Sequence, residues 1–469
     1  MGATRSAIIS FFSQAIADRL RESKTDTASR RSLDKSATIA SVFQKKSPRD
    51  SVLIEMSDLS ITRRPVNRYR FPVLQRFRIA GWRLLNELVD RIRASVWRPS
   101  NVLLVTGNAP EAKVAEVQAR LEFLFSHLRR NTGFRRARSA PISAYFRNTG
   151  VVAVDTTAVP AIACRRVGWV ADLDYEANPY DGWALLDFGA AVASDALEKS
   201  VAAGREVFFS RVREITANGL RPAYLFGTGP SLGLAGARSF RDGTTVVCNT
   251  IVRDAALWHQ LKPAFFTAGD AIYHFGHTDH ARAFRLDALR RLEESEGRTL
   301  FVYPAPFDVI VRSEFQDVEE VLVPIPWGEH TDITVDLLRE YALPQVGNVL
   351  NALLLPLGCT LSNDIRLWGF DGRAPTDSGF WSNSSRHAYP ELMQSLRDSH
   401  PAFFAELVPR GNESRYVNQV HGDLLDERLS EAEDRGFRFE LLHPSWTPTL
   451  QKRYYGSDDV TGMTDSATV

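Results

Sequence analysis

The chain has 469 residues, 44% of them hydrophobic and 10% aromatic, with 57 lysines and arginines against 56 acids. That length suits two or three domains with a sizeable core. The three cysteines, Cys164, Cys248 and Cys359, form no paired spacing, which argues against a disulfide framework or a cysteine zinc site and fits a reducing cytoplasmic setting.

The near-neutral total hides an asymmetry. Residues 1–150 carry 28 lysines and arginines against 12 acids, whereas the remainder carries 29 against 44. The basic third either meets an anionic surface, such as lipid or lipopolysaccharide, or packs against the acidic part. Nucleic acid is not an expected partner, because no helix-turn-helix, RNA-binding signature or zinc-finger spacing accompanies the arginines. The longest apolar stretch, Val349 to Cys359, is well short of the roughly 20 residues that span a bilayer. No secretory signal is expected.

In chain order, residues 8–20 place Ile8, Phe12, Ile16 and Leu20 at the spacing of a short amphipathic helix. Residues 21–50 have few large apolar groups and read as a linker. The run from Phe71 to Val96 predicts a helix, Asn101 to Thr106 a strand, and Glu111 to Leu128 a helix. Two short strands are expected at Val151 to Val154 and Gly168 to Ala171. A stripe of Leu197, Val201, Gly204, Phe208, Val212 and Ile215 then predicts a helix leading into Ala223 to Phe226.

That apolar run ends in Phe226-Gly227-Thr228-Gly229-Pro230-Ser231-Leu232. Two glycines around one small polar residue leave room for a nucleotide's phosphates or ribose. Further strands are expected at 244–249, 264–268, 299–303, 319–323, 364–369 and 437–442, with helices at Asp279 to Glu296, Val346 to Leu357 and Asp423 to Arg435. Several of these strands end in polar or small residues: Cys248-Asn249, Thr267-Ala268-Gly269-Asp270 and Gly369-Phe370-Asp371-Gly372. Such alternation predicts an α/β fold with a doubly wound, mostly parallel, Rossmann-like sheet, in which ligands bind at the carboxyl ends of the strands. The expected organisation is a basic, partly disordered segment 1–60, an accessory α/β domain 61–195, the nucleotide-binding domain 196–450 and a flexible tail 451–469.

The order of Gly229-Pro230-Ser231-Leu232, the Cys-Asn strand end, a helix before Leu357-Gly358, and Gly369-Phe370-Asp371-Gly372 resembles the bacterial lipooligosaccharide sialyltransferases. It is more distantly similar to motility accessory factors and pterin-diphosphokinase-like proteins. The likeness covers about residues 220 to 447. It implies a variant of the GT-A sialyltransferase fold that moves a sialic-acid-like or Kdo-like sugar from a CMP-linked donor to a glycan or glycolipid acceptor. The transfer would be an inverting displacement with no metal or other cofactor, and the basic N-terminus would allow peripheral contact with the membrane's inner face.

By the same resemblance, Gly227, Thr228, Gly229, Pro230 and Ser231 hold the donor's ribose and phosphate, Asn249 and Asp270 contact nucleotide or sugar, and Gly347, Asn348 and Asp371 complete the donor site. Pro344 and Gly347 stand where relatives have arginine and serine. The base for the acceptor hydroxyl would be His421 or His400, since an imidazole titrates near working pH. Arg373, Tyr389 and Tyr416 are candidates to stabilise the leaving phosphate.

Other constellations compete. Asp270 to His280 gathers three histidines and two aspartates, a mixture that suits a transition metal, although its spacing matches no familiar motif. Asp172-Leu173-Asp174 has the form of a pair that holds Mg²⁺ on a diphosphate, but two such acids are also common solvated residues. A diphosphokinase using ATP and Mg²⁺ near Asp270 and Asp371, or a non-catalytic nucleotide- or glycan-binding protein, are the alternative functions.

Overall fold

The computed structural model describes residues 101–128, 132–140, 150–159, 170–217, 219–372, 389–406 and 423–456. All of these lie within one compact unit that includes residues 96–469. The expected helices at 8–20 and 71–96, the linker 21–50 and most of the tail lie outside the described residues.

The first sheet is built from β1 (Asn101–Val105), β2 (Gly133–Ala137), β3 (Gly150–Ala153) and β4 (Val170–Asp172) in the order β2-β1-β3-β4, all parallel. Between β1 and β2 runs α1 (Glu111–His127), which buries Val114, Val117, Leu121 and Leu124 along one face. After β4 comes α2 (Asp181–Val192), a helix with no counterpart in the sequence reading. Its residues Ala184, Leu185, Leu186, Phe188 and Val192 are all buried, so it lacks the polar stripe by which a surface helix is recognised. The next helix, α3 (Ser194–Thr216), buries Gly204, Phe208 and Val212 of the expected stripe and leads into the second sheet.

Seven parallel strands form that sheet: β5 (Ala223–Phe226), β6 (Thr244–Cys248), β7 (Phe265–Thr267), β8 (Leu300–Pro304), β9 (Leu322–Ile325), β10 (Asp364–Trp368) and β11 (Arg438–Leu441). Their order is β11-β10-β5-β6-β7-β8-β9. The strands alternate with α4 (Ala255–Leu261), α5 (Asp279–Glu294), α6 (Asp308–Glu314), α7 (Leu355–Leu361), the pair α8 (Met393–Ser399) and α9 (Pro401–Glu406), and α10 (Asp423–Asp434). Helices cover both faces. Phe265 meets Phe208 of α3, with ring centroids 5.8 Å apart, whereas its neighbour Phe266 meets Trp258 of α4 and Phe284 of α5 at 5.7 and 6.1 Å. Adjacent strand residues point to opposite faces, so near-continuous apolar strands need cover on both sides.

Two boundaries differ from the sequence reading. The strand expected at 319–323 begins at Leu322, because Gln316–Val321 coils into a 3₁₀ segment. The helix expected at 346–357 begins as a π-helical turn, Leu350–Leu354, and continues as α7. Asn348 precedes it at φ 61°, and its side-chain oxygen accepts the Asn351 amide at 2.9 Å, so the left-handed residue and its cap set the start of the turn.

One hydrophobic core joins Leu104, Leu121 and Val152 of the first sheet layer to Phe208, Leu225, Phe266, Leu353 and Leu367 of the second. A smaller cluster of Ile272, Tyr273, Leu396 and Phe403 seats α8 and α9 on the loop after β7.

Candidate functional site

The chain winds outward from β5 through β9 on one side, then returns so that β10 and β11 lie on the other. The switch of direction therefore falls between β5 and β10, whose carboxyl ends carry the two glycine loops. In open α/β sheets this crevice is where ligands bind.

The two loops cross in close contact. Gly227 N–H donates to Trp368 O at 2.7 Å and Gly229 N–H to Gly369 O at 2.8 Å, extending the ladder past the strand ends. A Cβ at Gly229 would collide with the Asp371 carboxylate, and one at Gly369, where φ is 81°, with the Gly227 carbonyl. The room expected for a nucleotide beside Gly227 and Gly229 is taken by the opposite loop, so these glycines are required by the loop crossing itself. Asp371 in turn accepts the Ser231 amide at 3.0 Å and the Ser231 hydroxyl at 2.9 Å, and the Trp368 indole N–H donates to Ser231 O at 2.8 Å. Thr228 is half-buried and Pro230 exposed at the outer side of this junction.

A residue the sequence reading passed over fastens the second loop. His443 follows β11, and its Nδ1–H donates to Pro444 O at 2.8 Å. The Nε2 lone pair then accepts the amides of Gly369 at 2.9 Å and Phe370 at 3.3 Å. Burial pushes this imidazole below its usual range, against the opposing pull of the Asp371 carboxylate. Next in the chain, the Ser445 hydroxyl donates to Phe370 O and Trp446 N–H to Asp371 O, each at 2.7 Å. The only sequence signal was a histidine directly after an expected strand.

Toward the middle of the sheet the carboxyl edge is lined by uncharged polar groups. Asn249, at φ 51° directly after β6, has a buried side-chain oxygen with no partner. Thr267, the last residue of β7, keeps a buried hydroxyl with no partner, and so do both polar atoms of Asn351 in the π-helical turn; both residues are fully buried. That turn reaches the same edge, since Leu353 occupies the space a Cβ at Gly269 would need. Gly347 is exposed just ahead of it. Asp270, after β7, is tied down: its carboxylate accepts the amides of Ile272 and Tyr273, both at 2.8 Å. Desolvation nevertheless raises its pKa to about 6, outweighing the two amides that favour the charged form.

The residues 270–280 do not converge. His274 Nδ1 accepts the Asp270 amide, His277 Nε2 pairs with Glu116 at 3.1 Å, and His280 Nδ1 donates to Tyr273 O at 3.0 Å. Among the described residues no group of three or more histidines, cysteines or acids is arranged to hold a metal.

Behind this loop lies a buried charge network. Asp181, at the start of α2, pairs with Arg120 of α1 and accepts from His400 Nδ1 at 2.9 Å. Arg120 also reaches Ser399 O, and its guanidinium lies 4.5 Å from the Tyr175 ring centre. His400 is 2% exposed, its Nε2 has no partner, and its ring centroid is 6.0 Å from that of His277. Burial lowers its pKa although Asp181 pulls the other way; Nδ1 faces Asp181 and Nε2 has no partner. Although burial works to raise it, the charges of His400 and Arg120 hold the Asp181 carboxyl below its ordinary value. The Asp-x-Asp pair belongs to the same region. Desolvation raises Asp172 to about 7, whereas Asp174 pairs with Lys113.

Of the other candidates, Tyr389 donates its hydroxyl to Asp287 of α5 at 2.7 Å and lies under Arg253. Arg373, Tyr416 and His421 lie outside the described residues. Among the described residues no helix is long and apolar enough to cross a membrane. No family model and no curated protein matches this chain.

Proposed function

We propose that the chain is a glycosyltransferase of the sialyltransferase-like type, moving a sugar from a CMP-linked donor held at the carboxyl edge of the seven-stranded sheet. The observation that carries this reading is the set of unpartnered buried groups on Asn249, Thr267 and Asn351 beside the switch point. Natural cores rarely leave such groups unmade, because each costs about 1–3 kcal/mol. Amides and a hydroxyl complement the edge of a base or the hydroxyls of a sugar. The acids nearby are already engaged, Asp270 by two backbone amides and Asp371 by Ser231, which favours transfer from a nucleoside monophosphate over a diphosphokinase reaction built on Mg²⁺-ATP.

In the reaction, a base removes the proton of the acceptor hydroxyl as its oxygen bonds to the anomeric carbon. The bond from that carbon to the phosphate oxygen breaks, and the electron pair leaves with CMP. His400, oriented by Asp181 and with Nε2 free, is the base among the described candidates. Thr228, half-buried at the outer side of the loop crossing, is the candidate to meet the phosphate, whereas Ser231 is engaged by Asp371. The excess positive charge of residues 1–150 supports an anionic glycolipid acceptor at a membrane surface.

Thermal midpoints of the full chain with CMP, UDP, GDP, ATP, NAD and S-adenosylmethionine, each with and without Mg²⁺, test the reading. A rise with CMP that needs no metal supports it, by mass action on the folded state. A rise with NAD or S-adenosylmethionine alone overturns it. Binding of CMP without release of CMP from a CMP-linked sugar points instead to a non-catalytic binding protein.

A further inference from the structure

The exposed large apolar side chains among the described residues include Leu220, Leu234, Leu286, Trp446 and Tyr455. Two of these are rooted at the loop crossing. Trp446 is anchored through its own amide to Asp371 O, and Leu234 lies one 3₁₀ turn beyond Ser231, which the Asp371 carboxylate holds. Trp446 is 62% exposed, although indoles are among the residues that gain most from burial.

The backbone around it is fixed. The Ser445 hydroxyl joins Phe370 O at 2.7 Å and receives Thr447 N–H at 3.1 Å, and the space beside Gly372 is filled by Thr447 and Trp446. Its indole N–H makes no hydrogen bond to a described residue. A rigidly mounted, uncovered aromatic ring at the rim of a switch-point crevice is the arrangement that captures a planar ring at low entropic cost.

We propose that Trp446 is the stacking platform for the pyrimidine base of the nucleotide, which sets the base against its indole and directs the phosphate toward Thr228. This rests on reading the carboxyl edge as a nucleotide site. A planar base suits the position better than a second protein, because the exposed apolar side chains rooted at the crossing are single residues and not a broad face.

The test is calorimetric titration of CMP into the full chain and into W446A, W446F and L220A, the last lying ahead of β5 at the opposite edge of the sheet. W446A is expected to bind CMP about tenfold more weakly, with W446F close to wild type and L220A unchanged. Equal affinity of W446A and wild type overturns the assignment while leaving the nucleotide reading intact. If wild type binds none of the six nucleotides, the nucleotide reading falls and the assignment with it. Should W446A fail to fold, tryptophan emission decides: CMP is expected to quench wild type more than W446F, and equal quenching overturns the proposal.

Discussion

The two sheets are both parallel and both gather polar residues at their carboxyl ends, yet they treat those residues in opposite ways. Beyond the four-stranded sheet two acids are matched by cations, Asp174 by Lys113 and Asp181 by Arg120, while the Asp172 carboxylate accepts the Asp174 amide. Beyond the seven-stranded sheet the acids Asp270 and Asp371 are met by amides and a hydroxyl and not by cations, and several uncharged groups on Asn249, Thr267 and Asn351 have no partner. Buried ion pairs such as Asp181–Arg120 hold structure together, whereas an open set of hydrogen-bonding groups costs stability unless something else completes it. Polar strand ends alone do not identify a ligand site; which of them lack partners is the more informative property.

Substitutions can break this contrast from either side. The largest effect is expected for Asp181→Ala, which takes from Arg120 its buried carboxylate, leaving only that of Glu116 at 3.2 Å, and should lower stability by about 3 kcal/mol in urea denaturation. A loss below about 1 kcal/mol would mean that the network is not the structural element described here. Next comes Gly369→Ala at the loop crossing. Its left-handed backbone and the collision with Gly227 O should cost about 1–3 kcal/mol or more and abolish the rise in thermal midpoint produced by CMP.

Asn351→Leu has the opposite sign. Removing two unpartnered buried polar atoms while keeping the branched shape should raise the stability of the free protein by about 1 kcal/mol while abolishing stabilisation by CMP. A less stable variant that still responds to CMP contradicts the assignment of Asn351 to the ligand.

The smallest effects concern pH. His443 has a folded pKa below its ordinary 6.5, so the unfolded chain takes up its proton first as pH falls. The stability it contributes is complete above about pH 6.5 and is lost as pH drops toward the lowered value. His443→Gln should flatten that part of the profile of stability against pH. Asp172 runs the other way. With its pKa raised from 3.8 to about 7, it favours the folded state at low pH, and that contribution is lost as pH rises to about 7. Asp172→Asn should therefore gain stability relative to wild type across that interval, and a constant difference between the two would refute the shift.

Much of the second sheet was legible because most of its strands are short apolar runs, several with a small or polar residue at the end, as at Phe226-Gly227. The α2 helix was not, since a segment buried on most sides carries no periodic contrast. The candidate site was legible only as a collection of strand ends. Asp181 and Arg120 are 61 residues apart and Asp181 and His400 are 219 apart, so no local pattern joins them. His443 and Trp446 escaped notice for the same reason, because their importance lies in amides and carbonyls supplied by the loop after β10.

By itself, then, the amino-acid order determined the alternation of strand and helix, the class of fold and the glycines that let the chain turn sharply, because these depend on side-chain period and backbone freedom over a few residues. Only the tertiary structure decided that β10 lies beside β5, that the glycines face each other across the junction, and which polar groups find partners. Those outcomes depend on contacts between distant segments, whose free energy is set when strands are brought into register and buried together.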